Sequence, residues 1–296
     1  DHFLPEKLDS ISLSFLVTSM VRHRGGIAPN IAYTLALLGG KPRVMATVGE
    51  DFSDYRSFLE TAGVDTKLMK VVEGKFTASF FANTDESNAQ IASFYPGAMD
   101  HAGELSFHDL ANQPDLVVVS PNAPDAMVQY PVECQALGIP YLYDPSQQIP
   151  RMSGEDLRAG VEGCCALMVN DYEFELVKKS TGMSEAEILG GRAFTVVTRG
   201  KDGASIYVGD EEIRTPVVTP AQIADPTGVG DAFRGGFLTG YSHSLDWEIC
   251  GKIGALAATY CLESKGTQEH SFTPKEFITR FREHFDDDGA LDVLIR

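Results

Sequence analysis

Asp225-Pro226-Thr227-Gly228-Val229-Gly230-Asp231 runs directly into the apolar-periodic residues Ala232, Phe233, Phe237 and Leu238, so a glycine-lined loop meets the start of a helix. Glycine lets the backbone approach a ligand that a Cβ would hold off. The first N–H groups of the helix lack intrahelical partners, and such a terminus favours negative charge, phosphate included. Asp231 then sets a proton acceptor beside an oxyanion site, the layout expected for phosphoryl transfer to a hydroxyl. Its place at the helix start is expected to keep it ionised. A dinucleotide fingerprint is excluded, because the last glycine position holds Phe233 and no βαβ unit follows. No G-x-x-x-x-G-K-[ST] loop or protein-kinase signature occurs either. A capped helix start without a ligand is the plain alternative.

Upstream, continuous apolar runs at 44–48, 116–119, 139–143, 166–169 and 195–198 read as strands buried on both faces. Helical patterns lie between them at 30–38, 54–62, 126–137 and 172–180. That alternation predicts an α/β fold with a doubly wound, mostly parallel sheet flanked by helices. Residues 11–17, 75–83 and 88–95 alternate apolar and polar instead, with a turn at Thr84-Asp85-Glu86-Ser87, and predict a small separate β-sheet. After a hairpin over 204–208 and 213–217 the chain turns helical at 232–241, 247–262 and 275–284, and Asp286-Asp287-Asp288-Gly289 reads as a solvated exit.

With 296 residues, 43% of them hydrophobic, the chain can bury a large core. Lys+Arg 24 against Asp+Glu 42 gives a net charge of −18, which argues against nucleic acid and anionic membranes as partners. No apolar run is long enough to span a membrane. The five cysteines are odd in number and lack metal-site spacing, pointing to a reduced, cytoplasmic setting.

Three further segments fit the same chemistry. Gly25-Gly26 followed by Asn30 offers bare backbone and a side-chain amide to vicinal hydroxyls, or is an ordinary strand-to-helix turn. Asn170 and Glu173 open a helix after a buried strand, where they could face one Mg²⁺ through water or simply cap the helix. Thr198 to Gly203, with Gly200 between, frees backbone and a hydroxyl for phosphates and reads equally as a hairpin turn. Arg234, just past the base, reads either as a phosphate contact or as a surface helix arginine.

Together these segments resemble the ribokinase-like (PfkB) carbohydrate kinase family. Gly25-Gly26-x-Ala28-x-Asn30-x-Ala32, then Gly39 and Gly49, is similar to its N-terminal signature. The run Asp225 to Asp231 followed by Gly235-Gly236 is similar to its C-terminal one, with Val229 where a smaller residue is usual. Within the family the chain looks most like bacterial adenosine kinases, through residues 90–99 and Asp144-Pro145-Ser146-Gln147-Gln148.

The resemblance implies a ribokinase-like kinase domain over 25–69 and 99–296, a discontinuous β lid over 1–24 and 70–98, and a first family strand belonging before residue 1. It implies an ATP-dependent kinase acting on the 5′-hydroxyl of adenosine or a related nucleoside. Asp231 is the expected base, and the amides of Gly228, Val229 and Gly230 form the anion hole. Phe80 and Phe94 sandwich the purine, or merely pack the lid. Ser14, Gly25, Gly26 and Asn30 hold the ribose, and Gln147 and Gln148 lie near the adenine. Asn170, Thr198, Gly200 and Gly203 line the ATP side, with Mg²⁺ held through water by Glu173 and Asn170. A monovalent cation such as K⁺ is expected near Asp225, Thr227 and Gly266. The lid edge offers a route to a homodimer. A ribokinase- or fructokinase-type sugar kinase shares all of this except the purine pocket, and a ligand sensor without catalysis would share the scaffold.

Overall fold

The computed structural model describes residues 17–84 and 90–295. Its strands are β1 Arg43–Val48, β2 Asp65–Val71, β3 Ser79–Thr84, β4 Gln90–Tyr95, β5 Val117–Val119, β6 Tyr141–Tyr143, β7 Ala166–Asn170, β8 Phe194–Thr198, β9 Ala204–Val208 and β10 Glu211–Thr215. The helices are α1 Ile27–Leu37, α2 Ser53–Thr61, α3 Pro124–Leu137, α4 Gly154–Gly163, α5 Asp171–Thr181, α6 Glu185–Leu189, α7 Val229–Ser242, α8 Trp247–Leu262 and α9 Pro274–His284.

The main sheet has the order β10-β9-β8-β7-β6-β5. Strands β5 to β8 are parallel, while β9 and β10 are antiparallel additions. Successive residues of β7 explain why its sequence is apolar throughout. Leu167 and Val169 enter a core with residues of α3, α4 and α5, whereas Ala166 and Met168 enter one with Ile31, Phe233 and Phe237 of α1 and α7. A strand covered on both faces has no polar alternation to show. The mixed sheet between helical layers agrees with the expected fold class.

One run expected in this sheet lies elsewhere. Residues 44–48 belong to β1, which pairs in parallel with β2 as a separate two-stranded sheet. β2 is a strand that the apolar pattern does not announce, because Lys67 and Lys70 interrupt it. The expected boundary between residues 69 and 70 falls within it.

The hairpin β3–β4 forms the other small sheet, with Phe80 directly opposite Phe94. The expected strand over 75–83 begins only at Ser79, because Lys75 and Thr77 are tied to the end of β1: Glu50 N–H donates to the Lys75 carbonyl at 3.0 Å, and Asp51 accepts from Thr77 N–H at 2.8 Å. The expected turn at 84–87 and the strand over 11–17 lie largely outside the described residues.

The Gly235-Gly236 pair sets how α7 sits. A Cβ at Gly235 would stand 2.7 Å from the Thr34 side chain on α1, and one at Gly236 would stand 2.8 Å from Ala257 on α8. Only glycines allow α7 to lie this close to both neighbours. In the C-terminal acidic run, Asp286 and Asp288 are exposed as expected, but Asp287 is not. Asp287 is buried, accepting from Arg282 at 2.9 Å and from Leu291 N–H at 2.9 Å.

Candidate active site

Gly228 is the N-cap of α7, with φ 78°. The left-handed backbone and the Thr267 side chain, 2.8 Å from where a Cβ would stand, admit only glycine there. Ala232 N–H is the first to enter the helical ladder, donating to the Gly228 carbonyl at 2.9 Å. The amides of Val229, Gly230 and Asp231 therefore precede the first helical bond, as an anion site requires.

Asp231 accepts from Asn30 Nδ2 at 2.8 Å, which joins the two glycine-rich segments across 201 residues. Burial pushes the Asp231 carboxyl above the usual range, and Glu173 adds to this, while Arg234 and the Asn30 hydrogen bond oppose it. The helix start was expected to keep it ionised; burial works against that charge. Desolvation dominates and makes Asp231 a stronger base than an exposed carboxylate.

Arg234 is neither a surface arginine nor free to meet phosphate. It is buried, with Nη2 donating to Asp144 Oδ1 at 2.8 Å, Nε 2.7 Å from Asp144 Oδ2, and Nη1 donating to the Gly230 carbonyl at 3.0 Å. A pair sealed from water on both sides keeps much of its Coulomb attraction. Burial raises the Asp144 carboxyl despite Arg234, with Glu173 and Asp231 adding to the rise.

On the other side, Asn170 and Thr198 are register partners at the carboxyl ends of β7 and β8, where open α/β sheets bind ligands. Gly200 and Gly203 flank a short 3₁₀ turn closed by Arg199 N–H donating to the Gly203 carbonyl at 2.7 Å. Asn170 and Glu173 form a capping box: Glu173 N–H donates to Asn170 Oδ1 at 2.7 Å, and Asn170 N–H donates to Glu173 Oε2 at 2.8 Å. Glu173 Oε1 accepts from Ser146 Oγ at 3.0 Å. Ser146 itself has φ 36°, a strained value for a residue with a Cβ.

Asp231, Glu173 and Asp144 thus surround the single guanidinium of Arg234 and leave an excess of negative charge. Among the described residues, no group of three or more acidic, His or Cys side chains could hold a metal directly. This donor set fits a hydrated divalent cation carried in on phosphates and held through water.

Asp225 clamps the anion loop. Oδ1 accepts from Thr227 N–H at 2.9 Å and Oδ2 from Gly266 N–H at 3.0 Å. Burial pushes its carboxyl up, but these bonds together hold it below the ordinary value. Hard oxygens at Asp225 and Thr227 are the type an alkali cation takes.

The remaining expected residues are more dispersed. The Gly25 carbonyl accepts from Tyr55 Oη at 2.8 Å, and Gly26 caps α1 with φ 101°. Gln148 is buried with Oε1 unpartnered, while Gln147 is exposed. Phe80 and Phe94 are 65% and 49% exposed on one face of the hairpin, an apolar surface that no other described residue covers. Ser14 lies outside the described residues. Sequence reasoning passed over Tyr55 and Gln268, which hold Gly25 and Asn30, because neither carries a spacing signal.

Comparisons with known proteins identify the family. A family model described as pfkB family carbohydrate kinase matches residues 4–275. A nucleoside kinase of Methanocaldococcus jannaschii is 30% identical over 284 residues, covering 95% of this chain and 93% of that protein. The structure of a Burkholderia thailandensis nucleoside kinase in complex with inosine superposes with a TM-score of 0.88 at 37% identity, covering 92% of each chain. The same protein in complex with ADP-inosine gives a TM-score of 0.86 at 37% identity, covering 96% of this chain and 89% of that one.

Proposed function

The chain belongs to the pfkB family of carbohydrate kinases, and from that premise we propose that it is an ATP-dependent kinase phosphorylating the 5′-hydroxyl of a purine nucleoside, adenosine or a close relative. The observation that carries the nucleoside reading is the uncovered pair Phe80 and Phe94, two aromatic rings on one face of the hairpin. Sugars offer only C–H faces and no π system, whereas bases stack on aromatics for about 1–3 kcal/mol each. The structure of the B. thailandensis relative is in complex with inosine, which supports the same class.

In the proposed reaction the nucleoside 5′-oxygen attacks the γ-phosphorus of ATP as the bond to the β–γ bridging oxygen breaks. The hydroxyl proton passes to Asp231. The charge growing on the transferred group falls on the amides of Gly228, Val229 and Gly230, fixed before the reaction begins. Phosphoryl transfer is largely placement plus charge stabilisation, so the aim of these groups matters more than base strength. Mg²⁺, when bound, neutralises phosphate charge; Glu173 and Asn170 would hold its waters. Thr198, Gly200 and Gly203 line the ATP side, and Asp225, Thr227 and Gly266 are the proposed K⁺ position.

Gly25, Gly26 and Asn30, with Ser14, hold the ribose, and Gln147 and Gln148 serve the base. Asn30 keeps one amide hydrogen and one lone pair for this, since its other two sites are engaged inside the protein. The hairpin, as a lid, would exclude water from the phosphate in transit. Its open edges are where a second copy would pair. All five cysteines are free, which fits a reducing, cytoplasmic setting. Among the described residues no helix is long and apolar enough to cross a membrane.

Turnover measured on adenosine, inosine, ribose and fructose tests the substrate class. Faster phosphorylation of the free sugars at equal concentration would overturn the nucleoside reading. Phe94→Ala should raise the nucleoside KM roughly 5- to 150-fold, the equivalent of about 1–3 kcal/mol of lost stacking, with a smaller change in kcat. An unaltered KM in steady-state kinetics removes Phe94 from the base pocket.

A further inference from the structure

Gln268 lies in the segment between α8 and α9, far from every glycine motif, yet it is 2% exposed. Its Nε2 donates to Asn30 Oδ1 at 2.8 Å and to Tyr55 Oη at 2.5 Å. Tyr55 Oη, receiving that hydrogen, passes its own to the Gly25 carbonyl at 2.8 Å. Both amide hydrogens of Gln268 are thereby spent, and its Oε1 has no hydrogen-bond partner.

The direction of these bonds fixes a choice that Asn30 otherwise has. A primary amide presents either an oxygen or an NH₂ to its neighbour, and the two orientations fill nearly the same space. With Gln268 donating to Oδ1, Asn30 must turn Nδ2 toward Asp231, where the bond measures 2.8 Å. Were the amide reversed, its oxygen would face the Asp231 carboxylate and repel it. We propose that Gln268 is a positioning residue for catalysis, locking the Asn30 amide so that its NH₂ orients and stabilises the Asp231 carboxylate, while Tyr55 steadies the Gly25 turn from the same amide. This rests on Asp231 being the proton acceptor.

Other charged or titratable groups face Asp231 from every side: Arg234 on its own helix, Glu173 at the start of α5, Asp144 just after β6, and Cys261 on α8. Gln268 hydrogen-bonds to Asn30 and Tyr55 and to none of these groups, so a shift in the Asp231 titration reports on Asn30. The hydrogen bond from Asn30 favours the ionised form, and its loss must raise the pH at which Asp231 gives up its proton.

The test uses the full chain with nucleoside and MgATP. Gln268→Leu keeps the volume and removes both donors. It should lower kcat at neutral pH about tenfold through lost orientation, raise the nucleoside KM because Asn30 and Gly25 also hold the ribose, and move the acid limb of the kcat–pH profile up by about one unit. Gln268→Glu keeps size and polarity but offers only acceptors, so it should be at least as damaging as the leucine variant.

A residue that merely packs predicts the reverse: a lower Tm for leucine with an unmoved acid limb. Either an unmoved limb or a near-wild-type glutamate variant overturns the proposal. If the leucine variant does not fold, Gln268→Asn, too short to reach Asn30, is read by the same limb. Asp231→Asn run in parallel separates the two readings. Retained turnover there removes the base itself, whereas lost turnover with an unmoved Gln268→Leu limb removes only the relay.

Discussion

Asp231→Asn should reduce kcat by about 10²–10⁴-fold, the span general-base catalysis usually contributes, and leave the nucleoside Kd within about threefold of the parent value. The amide is nearly isosteric, can still meet Asn30, and sits at an unchanged helix start. What it cannot do is take the hydroxyl proton as the oxygen reaches phosphorus. On the barrier scale the loss is about 3–5 kcal/mol. Stopped-assay kinetics and calorimetric nucleoside titration would read the two quantities separately, and equal losses in binding and turnover would argue against the assigned role.

The parent enzyme should also lose kcat on the acid side. Burial raises the Asp231 pKa, so the carboxylate is progressively protonated as pH falls through that raised value. The limb therefore lies above the range of an exposed aspartate, and the asparagine variant should lack it.

Arg234→Met should cost about 3–5 kcal/mol of folding stability, because it strands the Asp144 carboxylate in the interior. For a chain of this size that corresponds to a Tm lower by roughly 10 °C. The sign with pH follows from the raised Asp144 pKa. Between the unfolded and folded values the folded variant binds more protons, so its stability falls as pH rises and is recovered toward acid.

Adding Asp144→Leu to the same chain should return much of the loss, since a matched apolar pair needs no hydration. Turnover should not return with it, because Arg234 Nη1 also holds the Gly230 carbonyl that aims the anion loop. Thermal melts of the two single variants and the double variant give the coupling directly. A single Arg234→Met variant as stable as its parent would mean that Asp144 finds another partner.

How much of this was legible beforehand follows the reach of each signal. The α/β alternation was readable because strands covered on both faces leave unbroken apolar runs, as Leu167 and Met168 show by facing opposite cores. The loop Asp225 to Asp231 was readable because a left-handed cap and a close approach demand glycine in a local pattern. β2 was missed because its lysines break the run, and β1 was assigned to the wrong sheet for want of that partner.

Arg234 was misread since nothing near it in sequence announces Asp144, 90 residues earlier. Asn170 and Glu173 satisfied the capping reading in full, with both halves of the reciprocal bond formed. Gln268 stood in no pattern at all, since the partner that gives it meaning lies 238 residues away.

That separation has a bearing on synthesis. The ribosome releases the Asn30 segment early and the residue that braces it late, so a nascent chain halted at the end of α8 carries Gly228 and Gly230 but no brace. Domains assemble from the amino terminus as they emerge. A nascent chain halted there is expected to transfer phosphate poorly, for want of the amide that orients Asn30.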